Sequence, residues 1–423
     1  MDNSSPQPLA VAYSSAQLPR LPIPNLGDTV NKYLDTVRPL VSEREFEETR
    51  RKALAFAAAG GPGEVLQARL KARAEKAAAE PAHSPSSCWL AQWWNDYAYF
   101  ENRESICFNV NYFFGFQKHP QGHPQTQADV AAILVHKALQ VRQVVESGRY
   151  PQVTMRGKPL CMTQFQYMFG TCRHPGDGKD QTEKYDEPLS RHIAIAHRGR
   201  FYVLNAFDKD GQLLDLETIK CYINLVLKGG YSGSDMPSIG VLTTTPRQQW
   251  YHAREALIRV SSTNAKNLRR LESAAFLLSL EDSEPQTRHE MSRACWHGNG
   301  QNRYFDKNLQ LLVFANGRYG FNGEHSMTDA TTDLELCNRL VEAVESATAP
   351  IAAPAHVPGN PSEALTLLEF DYNSDLLTAI KRANDYFSVT VASHEYFAGK
   401  CDSFGKEAIK KLNVSPDAFI QMA

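Results

Sequence analysis

No stretch of this chain approaches the roughly 20 consecutive apolar residues that a bilayer-spanning helix needs, so no transmembrane segment is expected. Charge of one sign is also lacking. The chain has 45 Lys and Arg against 47 Asp and Glu, a net charge of −2, which offers no electrostatic reason to expect a nucleic-acid or anionic-membrane partner. Eight cysteines, at positions 88, 107, 161, 172, 221, 295, 337 and 401, include no C-x-x-C pair. That spacing excludes a zinc cage and a disulfide framework, and points to reduced thiols in an intracellular protein with no metal site. No internal repeat of solenoid type is present. Met1-Asp-Asn-Ser-Ser-Pro6 is neither apolar nor Arg-rich, and Gln421-Met-Ala423 forms no peroxisomal address. A cytoplasmic monomer is therefore expected, with a mitochondrial or peroxisomal location as the alternative for a longer reading frame.

What is present describes a globular protein: 42% of residues are hydrophobic and 22% charged. The 423 residues suffice for two or three domains. Residues 1–25, rich in Pro, Ser and Gln, are expected to lie extended. Helices should follow from near Asp28, with Ser42-Glu-Arg-Glu45 spaced as a capping box and Gly60-Gly-Pro-Gly63 as a break. From Cys88 the chain turns aromatic, and Trp89, Trp93, Trp94, Tyr97, Tyr99 and Phe100 suit a helix with a large buried face. Asp129–Ser147, Leu216–Leu227 and Arg247–Ile258 read as helices. His192–Ala196 and Phe201–Phe207 read as a hairpin about Arg198-Gly199, and Ile239–Thr243 as a short strand. Ala347–Pro361 has the composition of a linker. Beyond it a strand over Leu365–Phe370, a helix over Ser374–Tyr386 and a strand over Ser388–Ala392 are expected to start a second core. The expected division is 1–87, an extended segment and helices; 88–350, an α/β domain; 351–364, a linker; and 365–423, the start of a second α/β domain.

One segment concentrates the chemistry. The apolar strand Leu309–Ala315 runs into Asn316-Gly317, whose two turn positions both tolerate φ > 0, and the return strand Arg318–Glu324 ends at His325. Ser326, Thr328 and Asp329 then offer capping chemistry for a helix over Thr331–Ser346. A histidine between a strand and a helix is held by rigid elements on both sides, which suits a general base. Spacing alone leaves a structural histidine as the more ordinary reading, and Glu324 reads as structural. Asp329, four residues on, is equally a first-turn acid favoured by the helix dipole. Lys406 and Lys410, spaced i and i+4, read alone as a solvated face, Asp417 as an N-terminal helix acid, and Trp94 as part of a buried aromatic face.

Several separated segments resemble one family, the carnitine/choline acyltransferases, and most closely its carnitine acetyltransferase branch. They are Leu18-Pro-Arg-Leu-Pro-Ile-Pro-Asn-Leu-Gly-Asp-Thr-Val30, Trp89-Leu-Ala-Gln-Trp-Trp-Asn-Asp-Tyr-Ala-Tyr99, Lys158-Pro-Leu-Cys-Met162 with Cys172-Arg-His-Pro-Gly176, Arg303–Ala330, and Phe404-Gly-Lys-Glu-Ala-Ile-Lys410 with Ser415-Pro-Asp-Ala-Phe419. Their order and spacing make the match specific. The resemblance implies an α/β fold with a mixed sheet, in two related domains each like chloramphenicol acetyltransferase. It implies reversible transfer of an acetyl or other short acyl group between coenzyme A and the hydroxyl of carnitine, with acetyl-CoA as cosubstrate and no permanently bound cofactor. His325 would be the general base, and no acyl-enzyme is required. Lys406 and Lys410 would grip a phosphate of coenzyme A, and Asp417 would approach its nucleotide part. Tyr99, Trp94 and Asp329 would lie on the carnitine side, where an aromatic face meets a quaternary ammonium. Ala330 departs from the glycine found in many relatives.

The family's later part supplies a Ser-Thr-Ser segment for the oxyanion, the groups that bind the carnitine carboxylate and the position that limits acyl length. None of these occurs before Ala423. The expectation is therefore of a truncated second domain and a weakly active or inactive chain. The alternatives are a catalytically impaired remnant with partial coenzyme A binding, or a transferase of choline or of longer acyl chains.

Overall fold

The computed structural model describes residues 18–80, 84–117, 126–229, 237–352 and 361–423. The expected extended N-terminal segment, the boundary near residue 81 and the linker all fall wholly or partly outside these residues. The strands, in chain order, are β1 (Tyr112–Gly115), β2 (Thr154–Met155), β3 (Lys158–Pro159), β4 (Thr171–His174), β5 (Gln181–Lys184), β6 (Ile193–His197), β7 (Arg200–Leu204), β8 (Leu277–Glu281), β9 (Leu309–Phe314), β10 (Tyr319–Gly323) and β11 (Leu365–Leu367). The chain forms two compact units. One comprises Met1–Asn102, Leu139–Met168 and Ser326–Thr332; the other comprises Arg103–Ala138, Phe169–His325 and Asp333–Ala423.

The first unit begins with helices Leu26–Val37, Glu43–Ala57 and Pro62–Ala79. Asn25 caps the first through its side chain, and Ser42 with Glu45 forms the expected capping box. Val30, Leu34 and Phe46 make a small core with Leu26, Val41, Ala53 and Ala57. The aromatic segment departs from expectation. It is a short α-turn, Ala91–Asn95, followed by a π-turn, Asp96–Phe100, closed by the Glu101 N–H on the Asp96 carbonyl at 2.8 Å. The widened turn shifts side-chain register, so the rings do not share one buried face. Trp93, Trp94 and Tyr97 are 46%, 55% and 83% exposed. Trp93 is covered instead by the Arg73 guanidinium, 4.1 Å from its ring.

The second unit is built on a mixed seven-stranded sheet in the order β1-β10-β9-β8-β6-β7-β11. β6, β8 and β9 run parallel, and the remaining pairs are antiparallel. The central strands are buried at every residue, which fits their near-continuous apolar runs. Helices Arg247–Val260, Ser262–Ser273 and Ser374–Ser393 pack Trp250, Leu257, Leu268, Leu271, Leu376 and Ile380 into one core with Ala194, Phe201 and Leu277. The hairpin β6–β7 turns at Arg198 and Gly199, with φ of 50° and 73°, as its two-residue loop requires. All eight cysteines are free thiols.

Four local expectations are corrected in this unit. At Asn316-Gly317 only glycine takes positive φ, at 77°. The loop has three residues, closed by the Gly317 N–H on the Phe314 carbonyl and the Phe314 N–H on the Arg318 carbonyl, so glycine carries the left-handed position alone. The segment expected as a strand at Ile239–Thr243 is a 3₁₀ turn, Gly240–Thr244. There the hydroxyls of Thr243, Thr244 and Thr245 donate to the carbonyls three residues back, at 2.7–2.8 Å. The β-branched run at 388–392 is helical, because the well-capped helix Ser374–Ser393 propagates through it. A β-branched residue costs a helix only a fraction of a kcal/mol, whereas stopping forfeits a hydrogen bond per residue. Finally, β11 pairs with β7 through Leu365–Leu204 and Leu367–Tyr202. With the helix that follows, which packs Leu376, Ile380 and Ala383 into the existing core, it extends the existing sheet.

Candidate functional site

The second unit contains a buried ionic network that ends beside His325. Asp180 accepts from Arg103 Nη1 at 2.7 Å, Arg173 Nε at 2.8 Å and Arg247 Nε at 2.6 Å. Arg247 also forks onto Asp306, and Arg173 Nη1 donates to Glu324 Oε1 at 3.0 Å. Arg173, Asp180, Arg247, Asp306 and Glu324 are all 2% exposed or less. Three guanidinium groups thus meet three carboxylates, which is the condition for keeping such charges out of water. Burial alone would raise the pKa of Asp180, but the guanidinium groups of Arg247 and Arg173 hold it below the usual carboxylate range. Backbone bonds fasten the same segments: the Arg173 N–H donates to the Asp306 carbonyl at 2.9 Å and the Glu324 N–H to the Asn308 carbonyl at 3.1 Å.

His325 follows directly on this anchored strand end and is half-buried. β1 is registered on β10 so that Tyr112 lies opposite Gly323, two residues before the histidine. The Tyr112 ring meets the His325 ring edge to face, with centroids 4.7 Å apart at 65°. The Tyr112 hydroxyl donates to Asp333 Oδ2, and Asp333 is fully buried. Tyr112 and Asp333 were not legible as site residues. They lie 221 positions apart, and no local spacing connects them.

The coenzyme candidates occupy the end of this unit. Lys406 and Lys410 lie one turn apart on the helix Lys406–Lys411, and both are exposed. Lys410 pairs with Glu407 at 3.1 Å, a solvent-facing contact that a stronger anion readily displaces. Asp417 is exposed in the first turn of Pro416–Met422, which Ser415 caps. Phe404 and Phe419, 5.8 Å apart, join the two short helices.

The other three candidates belong to the first unit. Trp94 is exposed on the α-turn and Tyr99 is half-buried in the π-turn. Asp329 is gripped by Gln164, a residue that sequence reasoning missed. Gln164 Nε2 donates to Asp329 Oδ2 at 2.7 Å, and the Asp329 N–H and the Thr332 hydroxyl donate to Gln164 Oε1 at 2.9 Å. Asn95, next to Trp94, places Nδ2 3.9 Å from Met327 Sδ, so the tryptophan segment and the residues after His325 are neighbours. Among the described residues no group of three or more His, Cys, Asp or Glu is arranged to hold a metal. No described helix is long and apolar enough to cross a membrane.

Comparison with known proteins places this geometry in context. A sequence profile of the choline/carnitine O-acyltransferases matches residues 21–423. The chain is 30% identical to the mitochondrial carnitine O-acetyltransferase of Saccharomyces cerevisiae, over 99% of its own length and 62% of that protein. It is 28% identical to the human carnitine O-acetyltransferase, over 96% of itself and 64% of that relative. It is also 30% identical to the liver isoform of human carnitine O-palmitoyltransferase 1, over 99% of itself and 54% of that relative. The chain therefore spans less than two-thirds of the length of these relatives.

The network generates a pH prediction. Asp180, with its pKa depressed in the fold, contributes stability that is complete above its unfolded value of 3.8 and is lost as pH falls through its lower folded value. Asp180→Asn should lower the unfolding free energy at pH 7 by about 3–5 kcal/mol, because three guanidinium groups lose a shared counter-charge. It should also flatten the fall in stability below pH 3.8. Urea titrations from pH 7 to pH 3 check both; an unchanged acid slope would count against the network.

Proposed function

The chain belongs to the choline/carnitine O-acyltransferase family, and on that premise we propose that it transfers an acetyl group reversibly between coenzyme A and the hydroxyl of carnitine, with His325 as general base. The observation that carries this reading is the position of His325, half-buried just past the end of β10 and next to Glu324, which Arg173 holds. A base so held loses little entropy in reaching its reactive geometry.

The imidazole takes the proton of the carnitine hydroxyl as its oxygen attacks the thioester carbonyl. The tetrahedral oxyanion then collapses, the C–S bond breaks, and the departing thiolate recovers the proton from the imidazolium as free coenzyme A. Acyl carnitine and coenzyme A thiol are the products, and no covalent enzyme intermediate or metal is invoked. Lys406 and Lys410 take a phosphate of coenzyme A, and Asp417 the nucleotide end. Tyr99 bonds the carnitine carboxylate, Trp94 offers a ring face to the trimethylammonium, and Asp329 lies near that cation. The identity with a relative named carnitine O-palmitoyltransferase supports a second reading, in which the acyl group is long.

In a form that includes the family's later part, a thiol-release assay with carnitine or choline against acyl-CoAs graded from acetyl to palmitoyl separates these readings. Carnitine with acetyl-CoA should give the highest kcat/KM. His325→Ala should lower the rate by about 10²- to 10⁴-fold, the usual contribution of a general base; a rate within about threefold of the parent would refute the assignment. Lys406→Glu combined with Lys410→Glu should raise KM for acyl-CoA by about tenfold with kcat little changed, as expected for groups that bind ground state and transition state alike. A loss confined to kcat would remove them from the coenzyme site.

A further inference from the structure

The sheet of the second unit has a crevice that acyl transfer leaves unused. β6 and β8 are parallel neighbours in the order β9-β8-β6-β7, and the chain leaves their carboxyl ends in opposite directions. After His197 it turns through Arg198 and Gly199 into β7; after Glu281 it crosses through the helix Arg288–Trp296 to β9. Connections that diverge in this way open a crevice beyond the strand ends, where open α/β sheets hold small ligands. A cavity of about 580 Å³ lies there, between Arg198, residues 280–286, the helix and the loop at 297–302. Its size is that of a small-molecule site. It lies at the end of the sheet opposite His325. Leu280 pairs with Val313 and Val313 with Tyr319, at the start of β10, whereas the histidine follows the far end of that strand at Gly323.

Three polar residues on the cavity lining are almost fully buried: Glu281, His297 and Asn302 are 6%, 5% and 2% exposed. Contacts within the protein use up their donors and leave acceptors. Asn302 Nδ2 spends its hydrogens on the Leu280 carbonyl at 2.8 Å and on Glu281 Oε1 at 3.2 Å. Arg303, fully buried, donates Nη1 to the same Oε1 and Nη2 to the Ala294 carbonyl. Glu281 Oε2 meets no donor among the described residues. His297 Nδ1 lies 2.8 Å from the Gly298 carbonyl, and a carbonyl only accepts, so Nδ1 carries the proton and Nε2 a lone pair. Burial holds this imidazole below its usual pKa and keeps it neutral near pH 7. Its Nε2 also meets no donor among the described residues. Two buried acceptors thus border one cavity with their hydrogen-bonding capacity unspent, a costly arrangement until a donor arrives. Arg293, exposed on the same lining, pairs with no described carboxylate, whereas Arg198 is engaged by Asp282 at 2.7 Å.

We propose that this cavity binds a free α-amino acid. The primary ammonium supplies N–H donors to Glu281 Oε2 and His297 Nε2, and the carboxylate takes the Arg293 guanidinium at the rim. Hydrogen bonds between charged partners are the strong ones, and an arginine holds a carboxylate through a two-pronged fork. The unspent acceptors decide among organic cations. A quaternary ammonium, that of carnitine included, has no N–H to give them. A simple amine satisfies the floor and leaves Arg293 unused; a simple carboxylate does the reverse. The inference is independent of the acyl-transfer reading, since it uses none of the residues assigned to that reaction.

The test is isothermal titration calorimetry of the 423-residue chain against the common L-amino acids, with circular dichroism to confirm that each variant is folded. At least one amino acid should bind saturably at millimolar concentration or below. Its N-trimethylated betaine, which keeps the carboxylate and has no N–H, should bind more weakly by about tenfold or more. His297→Phe keeps a ring among Phe108, Trp296 and Phe387 and removes the Nε2 acceptor; it should weaken the amino acid by about tenfold. Arg293→Gln should weaken it by a similar factor. Ala294→Phe, which fills the cavity from the helix and leaves every proposed ligand group in place, should abolish binding. Failure of every amino acid to bind would overturn the inference. So would a betaine that binds as tightly as its parent amino acid, or binding that survives both Ala294→Phe and His297→Phe, which would place the ligand elsewhere.

Discussion

Six charged side chains share a volume from which water is largely excluded, and the position of His325 depends on their mutual neutralisation. Arg103, Arg173 and Arg247 face Asp180, Asp306 and Glu324, drawn from the loop before the helix Ile106–Asn109, β4, the loop before β5, the start of the helix Arg247–Val260, the approach to β9 and the residue after β10. Burying any one of these alone would cost several kcal/mol; burying them as a closed set is tolerable only if the geometry is kept. The requirement therefore acts as a positional constraint on six segments of the chain. Hydrophobic packing of the sheet is less demanding, because apolar side chains accept many arrangements of similar volume.

The constraint has a direct bearing on the chemistry. Glu324 is the nearest carboxylate to His325 in sequence, and Arg173 claims it. The histidine ring also meets Tyr112, which is held from behind by buried Asp333. The edge-to-face contact with Tyr112 constrains the ring plane of the half-buried histidine. Rigid positioning of this kind is where an acyltransferase without a covalent intermediate must find much of its rate, since both substrates react with each other and not with the protein.

Sequence reasoning reached the parts of this arrangement that local rules control. The β9–β10 hairpin, the histidine at its end and the capping box at Ser42 all follow from periodicity and from the φ or hydrogen-bond needs of single residues. Even there the turn at Gly317 took one residue more than expected, because the backbone needed only one left-handed position. Contacts made across the chain were not legible. Nothing in the neighbourhood of Tyr112 announces Asp333, and nothing near Asp329 announces Gln164. The threonine-rich segment at 243–245 and the β-branched run at 388–392 misled for a related reason: strand propensity is a weak preference that hydroxyl bonding to the backbone and helix propagation each overrode.

The central claim, that a closed ionic network fixes the strand end bearing the proposed base, is tested most directly by a double-mutant cycle between Arg173→Met and Glu324→Gln, read as unfolding free energies at pH 7. The account predicts that each single change is strongly destabilising and that the pair couples by more than about 1.5 kcal/mol, because removing both partners leaves less uncompensated charge than removing either alone. A coupling below about 0.3 kcal/mol, the level of independent sites, would contradict it.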